Sequence, residues 1–146
     1  MSQKLVAEYR ARLAEIRAAL ANPSESQLRE PFKDLLKTRA RQQNLTFVAE
    51  YPLKTSRKKD IYTDGAVLHA LRVPLGFWEA KDHKDDLDKE IDAKFRAGYP
   101  QSNIIFDDTR QAVLVQNKEE VMRARMDDAE AVVELLDLFF GYETPE

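Results

Sequence analysis

Gly76-Phe77-Trp78-Glu79-Ala80-Lys81 is the stretch on which the reading of the chain turns. It is apolar and follows Pro74, so it predicts a strand within Leu75 to Lys81. Side chains alternate across a strand. Phe77, Glu79 and Lys81 therefore share one face, and Trp78 and Ala80 share the other. Charged groups on a buried sheet surface are costly unless they are paired or bound to a metal. Two readings follow. Glu79 and Lys81 are either an ion pair on an exposed edge or part of a chemical site.

Asp60 bears on that choice. It opens a second extended segment, Asp60-Ile61-Tyr62, which Thr63-Asp64-Gly65 is expected to turn. Two carboxylates on neighbouring strands make an oxygen site suited to Mg²⁺, a hard cation that keeps several of its waters. Such an ion polarises a phosphoryl oxygen and lowers the pKa of a bound water. A nearby lysine orients that water and offsets charge developing on a phosphate. Asp60, Glu79 and Lys81 are thus sufficient parts for phosphodiester hydrolysis.

Outward from this segment the chain alternates helical and extended patterns. Residues 3–21 repeat Leu5, Tyr9, Leu13, Ile16 and Leu20 at helical spacing, and Asn22-Pro23 ends the run. Ser24 and Gln27 form a capping-box signature for a helix to about Gln43, with Leu28, Phe32, Leu35 and Leu36 on one face. Pro31 should kink that helix or shift its start. Phe47 to Leu53 reads as a strand. Val67 to Leu71 reads as further extended chain. Residues 85–97 return to helical spacing through Leu87, Ile91 and Phe95, with Gly98 as the stop. Asn103 to Phe106 and Ala112 to Gln116 are short strands. Residues 118–140 read as a last helix carrying Val121, Val132, Leu135, Leu136 and Phe139. The order predicts one mixed α/β (α+β) domain, residues 1–146.

Composition excludes several chemistries. The chain has 146 residues, 43% apolar and 34% charged, which suits a folded domain with its own core. It lacks cysteine, so disulfides, thiolate zinc sites and cysteine nucleophiles are out. His69 and His83 have no zinc-like spacing. Four glycines make no phosphate-binding loop. No apolar run approaches a membrane span, and the charged N-terminus is no signal peptide, so a cytoplasmic, membrane-free protein is expected. Net charge is -3 but unevenly spread. Residues 1–59 hold 13 Lys/Arg against 6 Asp/Glu, and residues 60–146 hold 10 against 20. Such a split predicts one face attractive to a polyanion. Lys54, Arg57, Lys58 and Lys59 form a basic loop, read either as phosphate contacts or as a solvated turn. Asp82, Asp85, Asp86 and Asp88 read most simply as the acidic start of a helix.

The ordered combination of Asp60 with Glu79-Ala80-Lys81 on an apolar strand resembles the PD-(D/E)xK nucleases. Lys59 stands where the family's usual proline precedes the aspartate. Ser24-Glu25-Ser26-Gln27-Leu28-Arg29, Phe77-Trp78-Glu79-Ala80-Lys81-Asp82 and Ser102-Asn103-Ile104-Ile105-Phe106-Asp107-Asp108 are similar to the N-terminal nuclease domains of fused restriction–modification enzymes. The resemblance implies a restriction-endonuclease-like core over residues 24–117, a central mixed β-sheet flanked by helices. Residues 1–23 would be an added N-terminal helix, and 118–146 a C-terminal helix leading to further domains. It implies that Asp60 and Glu79 hold Mg²⁺ (or Mn²⁺) with the backbone carbonyl of Ala80, and that Lys81 positions the attacking water. Glu25, or failing it Glu30, would add an acidic group from the preceding helix. A glutamine–tyrosine pair found in some relatives is not evident, since Asp92 and Phe95 lie in the comparable stretch. The expected function is Mg²⁺-dependent cleavage of double-stranded DNA, with methyltransferase and specificity domains fused and a possible dimer on DNA. The alternatives are a catalytically silent module binding DNA or protein, a plain interaction domain, and a repair or junction-resolving nuclease.

Overall fold

The computed structural model describes residues 2–145. Four α-helices and one six-stranded sheet are present among them, in the order α1 (Ser2–Ala19), α2 (Glu25–Gln42), β1 (Thr46–Lys54), β2 (Asp60–Leu68), β3 (Pro74–Ala80), α3 (Leu87–Arg96), β4 (Asn103–Asp107), β5 (Gln111–Gln116), β6 (Glu119–Arg125) and α4 (Ala129–Phe140). The strands lie in chain order across the sheet. All neighbours are antiparallel except β3 and β4, which run parallel and are joined through α3. A parallel pair needs such a crossover, because a tight turn cannot reverse the chain twice.

Each face of the sheet is covered. Val67, Trp78, Ile105 and Leu114 pack with α1, α2 and α4. Ala66, Phe77, Ile104, Phe106 and Val113 pack with Leu87 and Ile91 of α3. The alternation read from Phe77 to Ala80 is therefore present, with both faces buried. The capping box of α2 is also present: Gln27 N donates to Ser24 Oγ (3.2 Å), and Ser24 N donates to Gln27 Oε1 (2.8 Å). Pro31 lies inside α2 and the helix runs through it. Gly98, at φ +94°, follows α3 in the left-handed conformation expected of a helix stop.

Three expectations are corrected. Thr63-Asp64-Gly65 does not turn the chain; β2 continues unbroken to Leu68. Gly65 lies in this strand because the ring of Phe47 on β1 covers it, where a side chain would collide, and Trp78 flanks it. This is close approach, not turn formation. Past Leu68 the strand gives way to a short turn at Ala70–Arg72, so extended chain does not reach Leu71. Residues 118–140 are not one helix. Asn117 and Lys118 adopt φ of 51° and 70°, a two-residue hairpin turn that returns the chain as β6. Alternating charge along this edge strand imitates a solvated helix face, and Val121 lies exposed on it. Asp128 then caps α4, accepting from Ala131 N (3.2 Å).

Gly65→Val should lower the free energy of unfolding by about 1–3 kcal/mol, the usual range for overpacking. Urea denaturation measures it, and Phe47→Ala in the same chain should return part of the loss.

Candidate active site at the end of β3

The centre of the site is a cross-strand pair. Gly65 lies opposite Trp78, so the next pair toward the strand end is Asp64 opposite Glu79. Both side chains emerge on the α3 face. Each carboxylate accepts from the other strand's backbone: Asp64 N donates to Glu79 Oε2 (2.8 Å), and Ala80 N donates to Asp64 Oδ2 (2.8 Å). Glu79 is only 3% exposed. Burial pushes its carboxyl up to about 7, and the neighbouring Asp64 adds to this; the Asp64 N–H and the charges of Lys94 and Lys81 act the other way.

Two lysines attend the pair. Lys94 of α3 places Nζ 3.6 Å from Glu79 Oε1, 3.2 Å from the Tyr99 hydroxyl and 4.6 Å from the centre of the Tyr99 ring. Burial alone would lower its pKa, but Tyr99 and Glu79 hold it above the ordinary value. Lys81 continues past β3, where its N–H donates to the Asp107 carbonyl (2.7 Å), and its Nζ lies 3.4 Å from Glu90 Oε2.

Beneath the site, Trp78 Nε1 donates to Asp107 Oδ2, and Thr109 N donates to Asp107 Oδ1 (3.1 Å). Burial raises the Asp107 carboxyl to about 6 in spite of these donors. The pair locks the ends of β3 and β4 together, and so fixes where Glu79 and Lys81 leave the sheet.

The structure brings Glu79 and Lys81 to one strand end but leaves Asp60 outside. Asp60 is exposed at the far end of β2 and pairs with Lys54 (2.9 Å). It lies four residue steps along the strand from Asp64, about 13 Å at the usual rise. Asp64 therefore stands where Asp60 was expected. Its signal was its even spacing with Ala66 and Leu68 in an uninterrupted strand, which the reading of Thr63-Asp64-Gly65 as a turn concealed. Lys94 and Tyr99 were likewise missed, because they lie five residues apart across the end of α3. Glu25 is exposed at the start of α2, 3.6 Å from Arg29. Glu30 pairs with Lys33 (2.9 Å) on the exposed face of α2. The Ala80 carbonyl accepts from Arg29 Nη2 (3.3 Å). Lys54 is held by Asp60, and the loop after it closes on itself through Thr55 N–H to the Lys59 carbonyl (2.8 Å). Arg57, Lys58 and Lys59 are exposed on this loop.

Two facing carboxylates are an all-oxygen donor set that fits a hard divalent cation. Among the described residues no three acidic or histidine side chains gather as a metal cluster. A cation here would accordingly retain water, and the Ala80 carbonyl, one lone pair of which accepts from Arg29, would offer it the other. No described helix is long and apolar enough to cross a membrane.

Comparison with solved structures follows this geometry. The chain is 41% identical to one protein chain of a DrdV–DNA complex solved by electron cryo-microscopy, with a TM-score of 0.94 over 98% of its own length. It spans 14% of the length of that chain. An Anabaena variabilis protein of the DUF820 group, described as a nuclease, is 9% identical over 64% of each chain, with a TM-score of 0.46. No family model and no curated protein matches the sequence. The fold is the restriction-endonuclease-like nuclease fold, α+β with a six-stranded mixed sheet.

Asp107 gives a pH dependence of known sign. Its folded pKa is about 6 against an ordinary 3.8, so the folded state holds the proton more tightly than the unfolded chain. The resulting stability is fully present below about pH 4 and is lost as pH rises through about 6. Glu79 contributes a fall of the same sign that begins near its ordinary value of 4.5 and is complete as pH passes about 7. Melting temperatures measured from pH 4 to 8 should therefore decline, and Asp107→Asn should flatten the lower part of that decline.

Proposed function

We propose that the chain is the endonuclease domain of a restriction–modification enzyme, hydrolysing DNA phosphodiesters with Mg²⁺ at Asp64, Glu79 and Lys81. The observation that carries this reading is the reciprocal hydrogen bonding of Asp64 and Glu79 beside Lys81 at the end of β3. Its roles keep those read from sequence for Glu79 and Lys81 and transfer Asp60's role to Asp64. Mg²⁺, which Mn²⁺ replaces, supplies Lewis-acid polarisation of the phosphoryl oxygen when bound. The protein's part is positional. Asp64 and Glu79 are each fixed by the other strand's backbone, which leaves Asp64 Oδ1 and Glu79 Oε1 as the oxygens that would meet a cation. Lys94 partly neutralises Glu79 and keeps its carboxylate oriented. Lys81 holds the attacking water and offsets the charge that grows on the phosphate. Water adds to phosphorus, the bond to one deoxyribose oxygen breaks, and the water's proton leaves as that oxygen gains one.

The likeness to a chain in a DNA complex, and the small fraction of that chain which is matched, support double-stranded DNA as substrate and methyltransferase and specificity domains as fused neighbours. Work on cellular DNA suits a cytoplasmic protein, and cutting both strands suits pairing of two copies on DNA. One observation favours a second reading, a silent DNA-binding member: a cation, Arg29, already donates to the Ala80 carbonyl.

Nicking of supercoiled plasmid with Mg²⁺ separates the two. Asp64→Ala, Glu79→Ala and Lys81→Ala should each lower the single-turnover rate by at least about 10²-fold. Asp60→Ala should cut like wild type. A wild type that binds but never nicks supports the silent reading. Loss on Asp60→Ala with activity kept in Asp64→Ala overturns the assignment.

A further inference from the structure

A groove of about 1030 Å³ opens beside Lys81, between the C-terminal half of α1, the start of α2 and the turns that follow β3 and β4. Its lining includes Arg10 and Arg17 of α1, Arg29 of α2, Lys84 after β3 and Arg110 after β4. Arg10 and Arg17 are seven residues apart, two helical turns or about 10 Å. Leu13 and Ala14 lie between them on the same stripe of the groove wall.

The charges are unequally committed. Among the acids of the groove, Asp108 Oδ1 accepts from Arg110 N and Gln111 N (both 2.9 Å). Asp82 Oδ1 accepts from Lys84 N (3.0 Å) and lies 3.5 Å from His83. Glu25 faces Arg29 and Asp127 faces Arg125. Arg10, Arg17, Lys84 and Arg110 are exposed and form no ion pair among the described residues, although Arg17 Nη2 donates to Thr109 Oγ1 (3.4 Å). These four cations have come together from three separate parts of the chain. Like charges converge at a cost unless an anion is shared between them.

We propose that this groove is a binding track for the sugar–phosphate backbone of one DNA strand, with Arg10 and Arg17 taking phosphates on one wall and Arg110 and Lys84 on the other. Of the three residues assigned to the chemistry, Lys81 lines the groove and Asp64 and Glu79 do not, so the track meets the site through Lys81 at the end of β3. The inference rests on the nuclease reading and extends it to Arg10 and Arg17 of α1, outside the span of the resemblance, and to Lys84 and Arg110 within it. It also gives α1 a task other than covering the sheet. The Lys54–Lys59 loop, by contrast, belongs to the β1–β2 hairpin and lines no part of the groove.

Fluorescence anisotropy with a labelled DNA duplex, without divalent cation, tests this as a function of salt. Each phosphate contact adds about 0.9 to the slope of log affinity against log salt. Arg10→Gln/Arg17→Gln should reduce that slope by about 2, and Arg110→Gln by about 1. Lys37→Gln/Arg41→Gln, on exposed α2 positions outside the groove, should leave it unchanged. In nicking assays Arg10→Gln/Arg17→Gln should raise KM and spare the rate at saturating DNA, which a merely structural loss would not do. Arg110→Gln, on a different element, guards against unfolding of α1. If both groove variants keep the wild-type slope while wild type nicks and Asp64→Ala does not, the track is wrong and the nuclease reading stands. If wild type neither binds nor nicks, both fall.

Discussion

Two carboxylates meeting across β2 and β3 set the terms for this molecule. Neither Asp64 nor Glu79 is neutralised by a single counter-charge. Each is held by a peptide N–H of the opposite strand, so the contact between the acids is also a rung of the sheet. Backbone donors stabilise charge without filling the space in front of it. The acids can then stay close, one of them buried, with Lys94 near the second oxygen of Glu79. The tension left over appears in Glu79, whose carboxyl is driven toward neutral pH by burial and by Asp64. Lys94 and Lys81 answer that charge from α3 and from the strand end.

Around this pair the fold acts as a frame. Trp78 faces the opposite layer and anchors its ring nitrogen on Asp107 of β4. The anchor crosses the sheet's parallel junction, the place where chain ends from two strands open side by side. Ligand sites in sheets of this kind favour the carboxyl ends of parallel strands. Here that position collects Lys81, the turn after β4 and the start of α2.

Much of this was readable in the amino acids alone, and the failures have physical causes. Alternation from Phe77 to Lys81 was legible because both charged residues, Glu79 and Lys81, fall on one face while Trp78 and Ala80 fall on the other. The α2 start was legible because Ser24 and Gln27 satisfy each other's backbone locally. Asp64 was not, because Asp64-Gly65 carries turn chemistry that a neighbouring ring overrode: Gly65 is needed for Phe47, a contact made by a residue on another strand. Lys94 escaped for a related reason, since its partners Glu79 and Tyr99 meet it only after α3 folds onto the sheet. The segment 119–125 reads as a helix surface because an edge strand and a solvated helix both show charge to water. Only the two left-handed residues at 117 and 118 distinguish them, and their conformation is not a property of composition.

The margins of the sheet carry their own consequence. At one border, β1 holds Pro52, which offers no N–H, and Glu50, whose φ of 52° bends the chain out of extended form. At the other, β6 presents Glu119, Glu120, Arg123 and Arg125. Both borders therefore resist strand-by-strand growth with another sheet. A sheet so finished leaves helices and loops as the surfaces best suited to contact between copies.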